Sequence, residues 1–436
     1  MKIEMDYVFS IYGYFFISLL LMLAAIAIPI ARKMSVVEIP IFVALGILVG
    51  PVFGFVSQSF SVYFFSAFGG VGIGMLGLVI ILYSESHNMN LKVLKREFYR
   101  IISLDTVGVV ITALVSGFFF SFVTGAPFII GYLFGAIISP TDPVTLIPMF
   151  KRINVKEDIS EILVGESLFN DPIGIILVSI GIAIAAPESS YVSFFSSIAH
   201  MIGFGPGIFA FFIIQITLPG VAGIAIGFTM IALNKKINFE NYLTAMLLGV
   251  VIFEFTIFES FSITPFPAII ATGAIIGNYS DKSIFWGRER NFNENLAYLA
   301  EALIFLLIGT SFSLPDIYGY ALFGLMLTIF VVFVARPAAV FPSILAADAR
   351  RTKGKGYYNF LGFLSLIGPR GVVPIVLSTL PYVIGTEYHV TILEKWGPLI
   401  SISVLFVVLF SIIIQTIYTP TIRDIFFKQE ENSENH

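Results

Sequence analysis

The sequence predicts an all-α polytopic membrane protein of about thirteen transmembrane helices, arranged as two inverted six-helix halves, each with an unwound helix as its fifth span. Three observations carry this reading. The chain of 436 residues is 57% hydrophobic and only 12% charged, against about 25% charged in an ordinary soluble domain. Apolar runs long enough to cross a bilayer core follow one another along almost its whole length. Lys and Arg fall in alternate loops, as cytoplasmic loops require.

A span needs about 20 mostly apolar residues. By that measure the spans lie near 9–31, 39–56, 67–83, 100–123, 127–150, 159–185, 205–233, 241–258, 265–278, 295–313, 318–341, 358–381 and 397–419. The ninth is short, and the stretch before the seventh leaves room for a surface helix. With the N-terminus outside, the inside loops carry Arg32 and Lys33; Lys92, Lys95, Arg96 and Arg100; Lys151, Arg152 and Lys156; Lys235 and Lys236; Lys282, Arg288 and Arg290; Arg350, Arg351, Lys353 and Lys355; and Arg423 and Lys428. Outside segments carry only Lys2 and Lys395, and one missed mid-chain span would scramble this asymmetry of 20 against 2. Met1 to Phe9 lacks the basic region and cleavage site of a secretory signal, so the first span is read as retained. Gln429 to His436 reads as a short, disordered cytoplasmic tail.

Composition also excludes. Cysteine is absent, which removes disulfides and thiolate metal sites. No basic run suits nucleic acid, and nothing calls for a cofactor. Gly69, Gly70, Gly72, Gly74 and Gly77 in span three read as close helix packing, since no strand or basic residue accompanies them as a nucleotide loop requires. His87 and His200 lie near span ends without a metal-ligand partner in the sequence.

Thirteen spans divide as six, one, six, which inverts the second half relative to the first. Transporters built this way place broken helices at matching positions. Span five contains Ser139-Pro140-Thr141-Asp142-Pro143, and span twelve contains Gly368-Pro369-Arg370-Gly371 with Pro374 following. Each is the fifth of its half. The two prolines of span five remove backbone donors and push Ser139 and Asp142 from helical dihedrals. Unwound backbone inside a membrane must line a cavity. Its carbonyl oxygens, with Thr141 and Asp142, suit a bare alkali cation; a simple proline kink is the alternative, disfavoured by the aspartate between the prolines.

Span six carries Glu166, Ser167, Asn170, Asp171 and Pro172. Glu166 and Asn170 share one helix face, as do Ser167 and Asp171. An ionised side chain at mid-bilayer costs at least roughly 2.5–3.5 kcal/mol, so two carboxylates on one span need a reason. Pro172 opens the helix beside Asp171. The two deep arginines also need anions or carbonyls. Arg336 of span eleven is assigned to Glu166 as a packing pair, and Arg370 to the helix ends and carbonyls of its own break in span twelve, with a swap of the two roles as the alternative. Asp105 of span four either reaches the site or sits at the interface. Glu254 and Glu301 either line an access funnel or pack.

The motifs SPTDP at 139–143, ESLFND at 166–171 and GPRG at 368–371, in this order and on these spans, resemble the NhaP-type sodium/proton antiporters of the monovalent cation/proton antiporter superfamily, relatives of the eukaryotic sodium/proton exchangers. The resemblance covers nearly the whole chain. It implies a homodimer in the cell membrane, with a dimerisation part (about 1–83 and 241–313) and a core part (about 100–185 and 318–419) whose spans five and twelve cross at their unwound centres. It implies Na⁺ and H⁺ as cargo, with Asp171 as the main carboxylate and Asp142, Ser167 and Thr141 nearby. Asn170 would tie the two helices, and Asp105 would be accessory. The pair Asn170-Asp171 implies electroneutral exchange. One departure is Ser84-Glu85-Ser86-His87, where relatives show a glycine-rich start to the loop; it bears on regulation and not on the site.

The physics of a single buried carboxylate agrees. It can be neutralised by a proton or by a small cation, so competition for one site yields obligatory exchange, with the core moving against the scaffold. The rivals are a K⁺/H⁺ antiporter, a cation channel, and an intramembrane aspartyl protease using Asp142 and Asp171. The last finds no support in the break pattern, and no HExxH motif points to a metalloenzyme.

Overall fold

The computed structural model describes residues 11–34, 37–58, 61, 73–187, 189, 193–281, 283–349 and 356–434. Among these there is no strand, as expected of backbone that must satisfy its own hydrogen bonds in lipid.

In chain order the helices are α1 (Ile11–Met34), α2 (Glu38–Ile47, running into a π-turn at Leu48–Val52), α3 (Ile73–Asn88), α4 (Leu91–Ser103), α5 (Val109–Thr124), α6 (Phe128–Ile138) and α7 (Ile147–Arg152). Next come α8 (Glu157–Ala185), α9 (Ser193–Ile202), α10 (Phe204–Ile237), α11 (Leu243–Ser260), α12 (Phe266–Tyr279) and α13 (Ile284–Thr310). The last are α14 (Leu314–Phe330), α15 (Arg336–Ala347), α16 (Tyr357–Leu366), α17 (Val372–Ser378), α18 (Leu380–Tyr388) and α19 (Thr391–Glu434).

Local chemistry sets these ends. The Asn90 side chain accepts from the Lys92 amide and starts α4. Gly125 at φ 70° stops α5. Ser313 and Asp316 cap each other's backbone to start α14. Prolines 140, 143 and 369 mark the two interruptions, which separate α6 from α7 and α16 from α17.

A further symmetry is visible that the sequence did not offer. Spans four and eleven, the fourth of each half, each contain a π-turn, at Leu104–Gly108 between α4 and α5 and at Val331–Ala335 between α14 and α15. The matching breaks and matching π-turns accord with an internal repeat.

Several expected boundaries shift. The helix of span ten begins at Ile284, well before 295, because about three turns rich in polar residues precede the apolar run. Span twelve continues beyond its expected end into α18, and α9 supplies the surface helix for which room was left before span seven. The tail expected to be disordered is corrected: α19 stays helical to Glu434, since a helix leaving the membrane keeps its own ladder in water. Gly69, Gly70 and Gly72 lie outside the described residues, as do Lys2, Lys282, Arg350, Arg351, Lys353 and Lys355.

Burial orders the helices. In α8, 78% of the apolar window is buried, whereas in α10 only 22% is. The helix bearing Glu166 to Asp171 is therefore central, and α10 turns Phe209, Leu218 and Val221 outward. Around α8 pack α4, α6 and the first break, while α3 packs on α12 and α13.

Candidate cation-binding site

The two interruptions meet. The Asp142 amide donates to the Pro369 carbonyl at 2.8 Å, so the chains touch backbone to backbone where neither can complete a helix. The Arg370 guanidinium, fully buried, donates through Nη1 to the carbonyls of Ser139 (2.9 Å) and Pro140 (3.1 Å). This corrects the expected role. Arg370 sits in the break of span twelve but serves the carbonyls of the break in span five. Pro143 explains part of this, since it lacks the amide that would serve the Ser139 carbonyl, and the Pro140 carbonyl lies in the same unwound stretch.

Arg336, at the start of α15, takes Glu166. Its Nη2 lies 2.8 Å from Glu166 Oε2, its Nη1 bonds Oε1, and its Nε donates to the Ile367 carbonyl at 3.0 Å. Both partners are buried, so each cancels a charge that would be costly alone. The pair thus spans α8, α15 and the edge of the second break.

Asn170 donates to Thr141 Oγ1 at 2.8 Å and lies 3.4 Å from the Thr141 carbonyl. Thr141 in turn donates to Glu166 Oε1 at 3.4 Å. Thr141 is therefore a joint in the network as well as part of the cavity wall. Its hydroxyl proton is directed to Glu166 and one of its lone pairs to Asn170.

A small cavity lies at this crossing, lined by Ile81, Glu85, Pro140, Thr141, Asp142, Ser167, Asp171 and the stretch 371–374. It holds about 10 Å³ for the centre of a water-sized sphere, near the minimum for one water or one ion of that size. Asp171 and Ser167 reach it from α8, and Asp142 from the first break. Gly371 closes the far wall. A Cβ there would stand 2.4 Å from Asp142 Cβ and Oδ2, so only glycine lets the carboxyl lie on the second break. On the other side, a Cβ at Gly174 would meet Pro140 Cγ at 2.4 Å, so a glycine lets α8 close on the first break.

Sequence reasoning missed Glu85. Residues 84–87 were assigned to a loop beyond span three, yet they form the last turn of α3, and Glu85 lines the cavity opposite Asp171. It lies within electrostatic reach of Asp142, Asp171 and Glu301. The available signal was a lone acid two residues past an apolar run, which the span limit at 83 cut away. Its neighbour His87 faces Glu289, with Nδ1 3.4 Å from Oε2.

Asp105 does not line the cavity. It is fully buried in the π-turn, within electrostatic reach of Glu166, Arg336 and Asp171. Glu301 lies close enough to Asp142 to repel it, while Glu254 accepts from Thr272 at 2.5 Å and packs between α11 and α12. Among the described residues no three His, Asp or Glu groups form a chelating cluster. The oxygens at hand are the carboxylates of Glu85, Asp142 and Asp171 and the hydroxyls of Thr141 and Ser167, hard donors of the kind that hold hard cations.

Two interrupted helices crossing in the membrane beside a buried aspartate define a secondary-transporter fold. The chain belongs to the sodium/hydrogen exchanger transmembrane family, whose model matches residues 18–423. It is 29% identical over 382 residues to Na⁺/H⁺ antiporter 1 of Methanocaldococcus jannaschii, covering 83% of this chain and 82% of that one. It is 25% identical to the K⁺/H⁺ antiporter NhaP of Alkalimonas amylolytica, over 72% of this chain and 51% of that relative. The solved structure of the sodium proton antiporter MjNhaP1 from M. jannaschii at pH 8 superimposes with a TM-score of 0.81 at 25% identity, covering 97% and 98% of the two chains.

Proposed function

We propose that the chain exchanges Na⁺ for H⁺ across the cell membrane, one for one, at Asp171. The observation that carries this is that Asp171 and Asp142, from two different helices, line one ion-sized cavity at the crossing of the breaks. Asp171 is the carboxylate that alternates between proton and cation. Asp142, Ser167 and Thr141 complete the cation's surroundings, and Asn170 and the Glu166–Arg336 pair hold the frame. Arg370 holds the freed carbonyls of the first break and offsets part of the local negative charge. Because proton and Na⁺ compete for one acid and each brings one positive charge, a full cycle moves no net charge.

The protein works as a homodimer with its N-terminus outside and its C-terminus in the cytoplasm. The dimerisation part comprises about 1–83 and 241–313, and the core about 100–185 and 318–419. Packing of α3 on α12 and α13, and of α8 on α4 and α6, supports that division. The core rocks against the scaffold and carries the site between the two sides.

The test is proton flux driven by imposed Na⁺, Li⁺ or K⁺ gradients in proteoliposomes, for wild type and for Asp171→Asn. Wild type responds to Na⁺, and the variant is folded and inert. Exchange by Asp171→Asn at the wild-type rate refutes the carboxylate mechanism. A K⁺/H⁺ antiporter is the second reading, favoured by the K⁺/H⁺ antiporter among its relatives, and a response to K⁺ alone would select it.

A further inference from the structure

The second break raises a question that neither its prolines nor its arginine answers: what holds five unwound residues in one shape inside a membrane? Every buried backbone donor and acceptor needs a partner, so the partners can be followed one by one. The Ile367 carbonyl is taken by Arg336 and the Pro369 carbonyl by the Asp142 amide. Three further groups lead to a single helix. The Leu366 carbonyl accepts from Tyr418 Oη. The Gly368 amide donates to Gln415 Oε1 at 2.8 Å. The Arg370 amide donates to Ser411 Oγ at 3.1 Å.

All three side chains come from α19. Their positions, 411, 415 and 418, stand four and three apart and so share one helix face. Ser411 is 0% and Gln415 1% exposed. A polar stripe on a buried face of a membrane helix is costly unless its groups are paired, and here each pairs with a different backbone group of the break.

We propose that Ser411, Gln415 and Tyr418 form a clamp, a set of positioning residues that fixes the second break and through it the cation cavity. The route is short. The clamp fixes residues 366–370. Arg370 then reaches the Ser139 and Pro140 carbonyls, the Pro369 carbonyl receives the Asp142 amide, and Gly371 meets the Asp142 carboxyl. None of the three touches the cavity itself. The clamp also ties the break to α19, the longest helix among the described residues, so the broken span and α19 move as one body when the core rocks. The inference rests on the antiport reading for its transport readout and stands apart from it in its structural readout.

The experiment compares wild type, Tyr418→Phe, Gln415→Met and Gln415→Glu in proteoliposomes and by amide hydrogen exchange. Tyr418→Phe removes one hydroxyl from a half-buried ring, and Gln415→Met removes the acceptor at nearly constant volume. Both are expected to raise the KM for Na⁺ by roughly tenfold, the scale of one buried group left unpaired, while the amount of folded protein is kept. Gln415→Glu, which keeps an acceptor oxygen at the same reach, recovers most of the affinity. Exchange at 366–371 speeds up by about tenfold in Gln415→Met and not elsewhere in the core. Wild-type KM together with unchanged exchange at 366–371 in folded Tyr418→Phe and Gln415→Met overturns the clamp. A fall in turnover that merely follows the folded fraction, at constant KM and exchange, overturns it equally. Failure of wild type to respond to any alkali cation strikes the antiport reading instead, and the exchange data then decide the clamp alone.

Discussion

At the scale of single residues, buried charges are kept only where something answers them. Glu166 is answered by Arg336, and that guanidinium also holds the Ile367 carbonyl. Arg336→Ala leaves a buried carboxylate alone and an acceptor unfilled, a change that costs about 3–5 kcal/mol in comparable buried pairs. The expected result is a large drop in thermal stability and yield in detergent. Neutralising the orphan with Glu166→Gln in the same chain should restore part of it. A stable Arg336→Ala protein that has lost only transport would show that the arginine acts on the cation and not on the frame. Asp171 has no such cation partner in its cavity wall, whose other charged members, Asp142 and Glu85, are acids. That surplus of negative charge is what a small positive cargo can relieve.

At the scale of elements, the two breaks are complementary objects. Each exposes what the other can fill, through one backbone hydrogen bond between Asp142 and Pro369 and one arginine reaching across. Close approach is a condition of this fit, and Gly371 is its tightest point. Gly371→Ala puts a methyl where the Asp142 carboxyl lies, so Asp142 must turn away. Na⁺ affinity should fall by at least roughly tenfold, while the overall fold, carried by contacts elsewhere, survives. Isothermal titration, or the Na⁺ dependence of exchange, measures this, and unchanged affinity in Gly371→Ala would mean that Asp142 does not contact the cation. The π-turns of spans four and eleven belong to the same scale. One contains the buried Asp105 and the other runs directly into Arg336.

At the scale of the whole molecule, the proposed sharing of one acid by two monovalent cargoes has consequences for energetics. Exchange at equal pH and Na⁺ should proceed at the same rate with and without a valinomycin-imposed potential, because no net charge crosses. Marked stimulation by potential would reveal unequal stoichiometry. Competition adds a pH dependence of known sign. Protons occupy the same carboxylate, so the apparent KM for Na⁺ rises as pH falls, by at most tenfold per pH unit, and no rise would separate the two cargoes onto different groups. The central placement of α8 and the exposed face of α10 suit a core that moves within a stationary scaffold.

Much of this was legible in the chain itself. The all-helical membrane fold, the two breaks and the burial of Asp171, Glu166 and the two arginines all follow from local rules. Apolar runs must match the bilayer, proline cannot donate, and a charge in lipid is too costly to be incidental. What stayed hidden depended on partners far apart in sequence. Arg336 and Glu166 are 170 residues apart, and Arg370 and Ser139 are 231 apart, so spacing could not say which arginine served which group. Glu85 was lost to a span limit because one polar turn at a helix end reads as loop until α3 is seen packed against the cavity. The face of Ser411, Gln415 and Tyr418 looked like scattered polar residues in the last span. Only the tertiary structure brings that face against the unwound segment, because a backbone group freed from its own helix has no sequence signature for the partner it will find.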